Sequence, residues 1–225
     1  MCVILYTILL LNLAPSLLLQ IREGKLVCLY GGEDLEWIRR FTKAAQAAAT
    51  AAGIQIEMLY VGKSKLKDKN RRNNAIIQEE NLSHVLPELT LIWYFWVRLE
   101  SMWHSKVQQN KTVENDQIMR EIVTMLSFDG SDDGWAVISA GAAEMTKAKG
   151  ELILKSFGEF DLWRDAAMER GFIPALNDYL LGIHSPLHCN RLILPGTTGS
   201  IPERVVCAEC GRPMDKFIMY RCCVD

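Results

Sequence analysis

The sequence predicts an α/β fold with a mostly parallel sheet, and three features between Lys25 and Val61 carry that prediction. Leu26 to Tyr30 is an uncharged, largely apolar run of strand length, ending at Gly31-Gly32, where a sharp turn costs glycine nothing because it has no Cβ. Glu33 and Asp34 then put carboxylates where a helix N-terminus favours negative charge and a cap, and Ile38, Phe41, Ala45, Ala48 and Ala52 recur at helical spacing up to Gly53, a C-terminal stop. Ile54 to Val61 reads as a second strand, completing a βαβ unit around an alanine-rich helix.

The chain has 225 residues, 49% hydrophobic and 23% charged, with a net charge of −2. That is an ordinary globular balance, without the strong basic field that nucleic acid requires. Ahead of the βαβ unit, positions 2 to 21 carry no charge. A membrane span needs roughly 20 apolar residues, so the length is marginal for an anchor over residues 2–20. Asn12, Pro15, Ser16 and Gln20 weaken the case, and there is no basic flank of the kind a signal peptide shows, so residues 1–21 read as a buried or irregular N-terminal extension.

Residues 63–72 hold six basic side chains and one acidic one, which reads as a solvated loop between strand and helix. A phosphate contact there needs a second basic or glycine-rich element that the sequence does not place. In Glu88 to Gln109, Ile92, Phe95, Trp96, Leu99 and Trp103 fall on one helix face, while Trp93 and Met102 widen the apolar surface so that the helix is expected to be covered on two sides. Val113 to Leu126 is a second amphipathic helix, with Ile118, Ile122 and Met125 in register. Ser127 to Asp133 is a turn-rich link whose aspartates lack the ligand spacing of a calcium-binding loop. Trp135 to Ser139 is a buried strand, the chain then passes Gly141 into a helix through Phe157, and Phe160–Glu169 and Pro174–Leu181 are short helices parted at Gly171.

After His184 the texture changes. Leu192 to Leu194, Arg204 to Cys207 and Lys216 to Arg221 read as strands, and CAECGRP lies between the last two. Seven cysteines are an odd number and five fall after residue 188, which favours clustered thiols in a reducing compartment over a disulfide framework. Cys207 and Cys210 have the spacing of a knuckle that aims both thiolates at one point, half of a tetrahedral structural zinc site. Cys222 or Cys223 supplies a third ligand, and Cys189 or His188 the fourth. Unligated thiols and a redox pair are the alternatives, and Pro213 with a following strand argues against the redox pair. No P-loop, dinucleotide fingerprint or Ser/His/Asp arrangement points to a small-molecule substrate. The chain thus divides into the extension 1–21, an α/β domain over 22–183 and a cysteine-rich β module over 184–225.

CLYGGEDLEWIRRFT (28–42), VGKSK (61–65), IWYFWVRLESMW (92–103), SFDGSDDGWAVIS (127–139) and RLILPGTTGSIPERVVCAECGRPMDKFIMYRCC (191–223) together resemble the C-terminal region of plant sieve element occlusion proteins, the forisome-type phloem proteins. The resemblance runs from about Lys25 to Cys223. It implies a thioredoxin-like core for the βαβ unit, with GGED in place of the CxxC at the strand-to-helix turn, which excludes disulfide exchange there. It also implies a non-enzymatic structural protein in the cytoplasm of phloem sieve elements. Such proteins associate with themselves and with other family members into filaments or bodies that plug the tube after wounding, in some legumes in response to calcium. Family members are much longer and carry an N-terminal domain, so the resemblance implies a truncated copy or an aberrant gene model. The competing readings are a thiol-disulfide oxidoreductase using Cys207 and Cys210 and a membrane-anchored binding module using residues 2–20.

Overall fold

The computed structural model describes residues 25–64, 67–128, 134–140 and 144–183, together with 205–206 and 213–214. The apolar extension, Asp129 to Asp133 and the cysteines of the C-terminal module lie outside the described residues.

Strand β1 (Leu26–Gly31) is buried along its whole length, and it leads into helix α1 (Leu35–Ala51). The Asp34 carboxylate accepts from the Glu36 N–H at 2.9 Å, capping the helix as its sequence position predicts. At the other end Gly53 takes φ +69°, and the N–H groups of Gly53 and Ile54 return to the carbonyls of Thr50 and Ala49. This is a Schellman stop, which a residue with a Cβ would strain. Strand β2 (Ile56–Tyr60) pairs with β1 in parallel.

The basic stretch is a loop only at its start, over Lys63 and Ser64. It enters helix α2 (Lys67–Glu79), whose apolar contribution to the core is Ile77. The short strand β3 (His84–Val85) pairs in parallel with β2, and helices α3 (Leu89–Gln108) and α4 (Gln117–Leu126) follow. Helix α4 starts at residue 117 rather than 113 because the Asp116 carboxylate accepts from the Met119 N–H at 2.7 Å. That start turns Ile118 outward and Met119, Ile122 and Met125 inward, which corrects the placement of Ile118.

Strand β4 (Trp135–Ala140) pairs antiparallel with β1, and β5 (Glu144–Lys149) pairs antiparallel with β4. Two expectations fail here. The sheet, in the order β3-β2-β1-β4-β5, is mixed rather than mostly parallel, and residues 144–149 form a strand where the sequence reads as a helix. The run EMTKAK is rich in helix formers, but a three-residue connection leaves no room for the crossover a parallel strand needs, and ladder pairing with β4 overrides propensity. Helix α5 (Gly150–Gly158), a 3₁₀ turn (Phe160–Leu162), α6 (Arg164–Arg170) and α7 (Phe172–Ile183) complete the domain, with α6 and α7 parted at Gly171, φ +96°. Two short strands, β6 (Val205–Val206) and β7 (Pro213–Met214), pair antiparallel.

Alternation along the strands divides the interior into two cores. Leu26, Cys28, Tyr30, Met58, Tyr60, Ala136 and Ile138 face α1, α5 and α7, whereas Val27, Leu29, Leu59, Val61, Trp135 and Val137 face α3 and α4. Backbone space is tight where β4 begins: a Cβ on Gly134 would lie 2.3 Å from the Trp37 ring, and one on Gly31 would lie 2.7 Å from Trp135.

Candidate functional site

Three places in the molecule invite a functional reading: the strand-to-helix turn, the cysteine-rich end and the outer face of α3. At the turn, the buried Tyr60 hydroxyl donates to the Gly32 carbonyl at 2.8 Å, and the Asn73 amide donates to the Glu33 carbonyl at 3.3 Å. Lys69 reaches the Glu33 carboxylate at 2.5 Å. Desolvation pushes Tyr60 up to about 12, partly offset by its hydrogen bond with Asn73, so the phenol stays protonated and acts as a donor. Backbone carbonyls and paired charges fill the turn, and it holds no thiol.

Cys28, in the middle of β1, is fully buried, and desolvation raises its thiol well above the ordinary range. A buried thiol of that kind is an inert packing group rather than a nucleophile. The cysteines of the predicted metal set, Cys189, Cys207, Cys210, Cys222 and Cys223, and His188 lie outside the described residues. The β6–β7 pairing brackets the segment that carries Cys207 and Cys210. Its second strand falls at Pro213–Met214, and the strand expected over Lys216 to Arg221 is again outside the described residues. Among the described residues no group of three or more His, Cys, Asp or Glu side chains could hold a metal, and no helix is long and apolar enough to cross a membrane.

Helix α3 is where sequence and structure part in an informative way. Its inner face buries Ile92, Phe95, Trp96 and Leu99, and the Trp96 indole N–H donates to the Val61 carbonyl at 3.0 Å, locking the helix to the end of β2. Trp96 and Trp135 meet edge to face at 5.9 Å, and Phe128 stacks on Trp135. Trp103 is only half-buried. Of the widened apolar surface, Met102 is half-buried against the same core, but the Trp93 end is not covered. Trp93 is 54% exposed and Tyr94 50% exposed, packed edge to face with ring centroids 5.1 Å apart. One helical turn on, Val97 is half-buried and Arg98 exposed. Two adjacent exposed aromatic rings held on a rigid helix form a preformed apolar knob of the kind that anchors protein contacts. The sequence signals Trp93 as lying off the main stripe, but Tyr94 gives no signal of its own.

The comparisons with known proteins fit this picture. The family model for the sieve element occlusion C-terminus matches residues 5–224, so the likeness reaches well before Lys25 and takes in most of the apolar extension. The chain is 44% identical over 222 residues to the sieve element occlusion A protein of Arabidopsis thaliana, covering 94% of this chain and 27% of that protein. It is 38% identical over 213 residues to the occlusion B protein of the same plant, covering 91% of this chain and 28% of that protein. The occlusion C protein is 28% identical over 203 residues, covering 88% of this chain and 28% of its own length. The chain therefore spans little more than a quarter of the length of these curated relatives. No solved structure matches it.

Proposed function

This chain belongs to the sieve element occlusion family, and from that premise we propose that it is a non-enzymatic structural unit of phloem sieve elements that takes part in assembly with family members. Within that reading the protein acts in the sieve-element cytoplasm, where assembled filaments or forisome-like bodies plug the tube after wounding. The observation that carries the proposal is the Trp93–Tyr94 knob, half exposed on a helix whose other face is fixed in the core. Exposed large aromatics on a rigid surface are costly to leave in water and serve association.

Two finer features belong to the same proposal. The order β2-β1-β4-β5, with a parallel neighbour on one side of β1 and an antiparallel hairpin on the other, supports a thioredoxin-like core used as scaffold, since GGED at the turn supplies no redox pair. The cysteine-rich end is a structural zinc module held by Cys207, Cys210, Cys222 and Cys189, with His188 or Cys223 as alternates. Its bracketing by β6 and β7 supports that assignment. Loss of zinc in a Cys207→Ser protein, read by metal analysis, tests the module.

Co-sedimentation of the 225-residue chain with a full-length family member, with and without calcium, tests the function itself. Co-pelleting is expected. A chain that stays in the supernatant under both conditions contradicts an assembly role for this region.

A further inference from the structure

The core beneath α3 and α4 is unfinished at one end of the sheet. The chain leaves β3 beside the last residue of β2 and starts α3 there, and Trp96 meets Trp135, the partner of Gly31 at the end of β1. Helix α4 runs back to Phe128, which stacks on the same Trp135. The end of α3 and the start of α4 therefore lie at the opposite end of the sheet, where the chain enters β1 at Leu26. The Lys106 ammonium and the Asp116 carboxylate join the two helices there at 2.8 Å. Around that ion pair Trp103 is half-buried, Val107 is 44% exposed and Ile118 is 36% exposed. The other core is closed at this end, with Leu26, Ala48 and Ala52 all buried.

We propose that residues 16–21 of this chain fold back on the α3–α4 seam and cover Trp103, Val107 and Ile118. The segment is uncharged, with leucine at 17, 18 and 19 and isoleucine at 21, and Pro15 separates it from the apolar run before it. Only residues 22–24 lie between it and Lys25, the residue before β1. Four residues reach up to about 13 Å, against about 10 Å between packed layers, so the segment arrives at the seam by the shortest path. The ion pair at the seam is satisfied within itself, so an uncharged occupant strands no charge. Leucines upstream and Val107 and Ile118 at the seam are each costly to leave in water, and mutual burial removes both costs. The match to the sieve element occlusion C-terminus begins at residue 5, so the segment is part of the unit that family members share. Trp93 and Tyr94, at the far end of α3, stay uncovered, and the contact stands apart from the assembly surface.

Hydrogen–deuterium exchange on the full chain, read by mass spectrometry at residues 16–21 and 102–108, tests the contact. In the wild type, residues 16–21 are expected to exchange at least about tenfold more slowly than a free peptide of the same sequence, at every protein concentration. Val107→Asp/Ile118→Asp, at exposed positions, should remove that protection and leave the amides of β1 and β4 unchanged. Leu18→Asp/Leu19→Asp should in turn speed exchange at 102–108. Val107→Ser/Ile118→Ser replaces the aspartates if circular dichroism shows a lost fold. Free exchange of residues 16–21 in the wild type overturns the contact. Protection that survives the seam variants puts the segment elsewhere and overturns it too. Protection that rises with protein concentration gives the segment to a second copy, and protection that appears only with phosphatidylcholine vesicles gives it to a membrane. Either result overturns the proposal.

Discussion

Helices α1 and α3 cover opposite faces of one sheet, and they do so with opposite chemistry. Helix α1 packs Trp37, Ile38, Phe41, Ala45 and Ala48 inward, and its outward residues include Ala44, half-buried, and Ala47 and Ala51, exposed. Helix α3 packs Phe95, Trp96 and Leu99 inward and still presents Trp93 and Tyr94 to solvent. Folding accounts for both inner faces, because each buries enough apolar surface to hold the sheet. It accounts for the small outer face of α1 but not for the aromatic outer face of α3, which the proposed assembly role would put to use.

The sharpest way to break this contrast is to exchange burial within one helix. Trp96→Ala removes a ring that is 1% exposed and leaves the Val61 carbonyl without its indole donor, so it should lower the unfolding free energy by about 3–5 kcal/mol in a denaturant titration. Trp93→Ala, three residues earlier, should change stability by less than about 0.5 kcal/mol, its effect appearing in association instead. On the α1 side, Gly134→Ala forces a methyl into the Trp37 ring, which is held by its indole N–H to the Gly150 carbonyl at 3.2 Å. Overpacking of that kind costs about 1–3 kcal/mol. Ala45→Leu, at a fully buried position, should cost a similar amount, while Ala47→Leu on the same helix should cost almost nothing.

Much of this contrast is legible in the sequence, for reasons that differ by element. The spacing of Ile38, Phe41, Ala45 and Ala48 and the Asp34 and Gly53 signals place α1 within a residue or two, because cap and stop are local physics. The inner face of α3 is read correctly from its period for the same reason. The outer face is not, since Trp93 looks identical in sequence whether a neighbour covers it or not. Strand β5 is missed because its partner β4 decides its conformation, and only tertiary pairing carries that information. Of the candidate site, the thiol set rests on sequence spacing alone, because its residues lie outside those the structure describes. The exposure of Tyr94 is visible only once the helices are packed.

Smaller effects sharpen the account through pH. The Lys106 ammonium at 2.8 Å, together with the Met119 N–H, holds Asp116 below the ordinary carboxylate range against the opposing effect of desolvation. The folded state therefore favours the ionised carboxylate. That contribution is fully present above the unfolded value of about 3.9 and is lost as pH falls through the lower folded one. Asp116→Ala should remove it together with the cap, lowering stability by about 1 kcal/mol near neutral pH, with the deficit shrinking in an acid titration. At the alkaline end, desolvation raises Tyr30 and Tyr60, so the unfolded chain ionises at about pH 10 while these two phenols in the folded chain do not. Stability should fall as pH rises above that point, read by thermal melts, and Tyr60→Phe should soften the fall.

The central claim is that the outer face of α3 is an assembly surface. Hydroxyl-radical footprinting of Trp93 and Tyr94, in the free chain and in the fraction that pellets with a full-length family member, tests it most directly. Strong labelling in the free chain and protection in the pellet, with Trp96 silent in both, is the predicted result. Equal labelling of Trp93 and Tyr94 in the two fractions would contradict it.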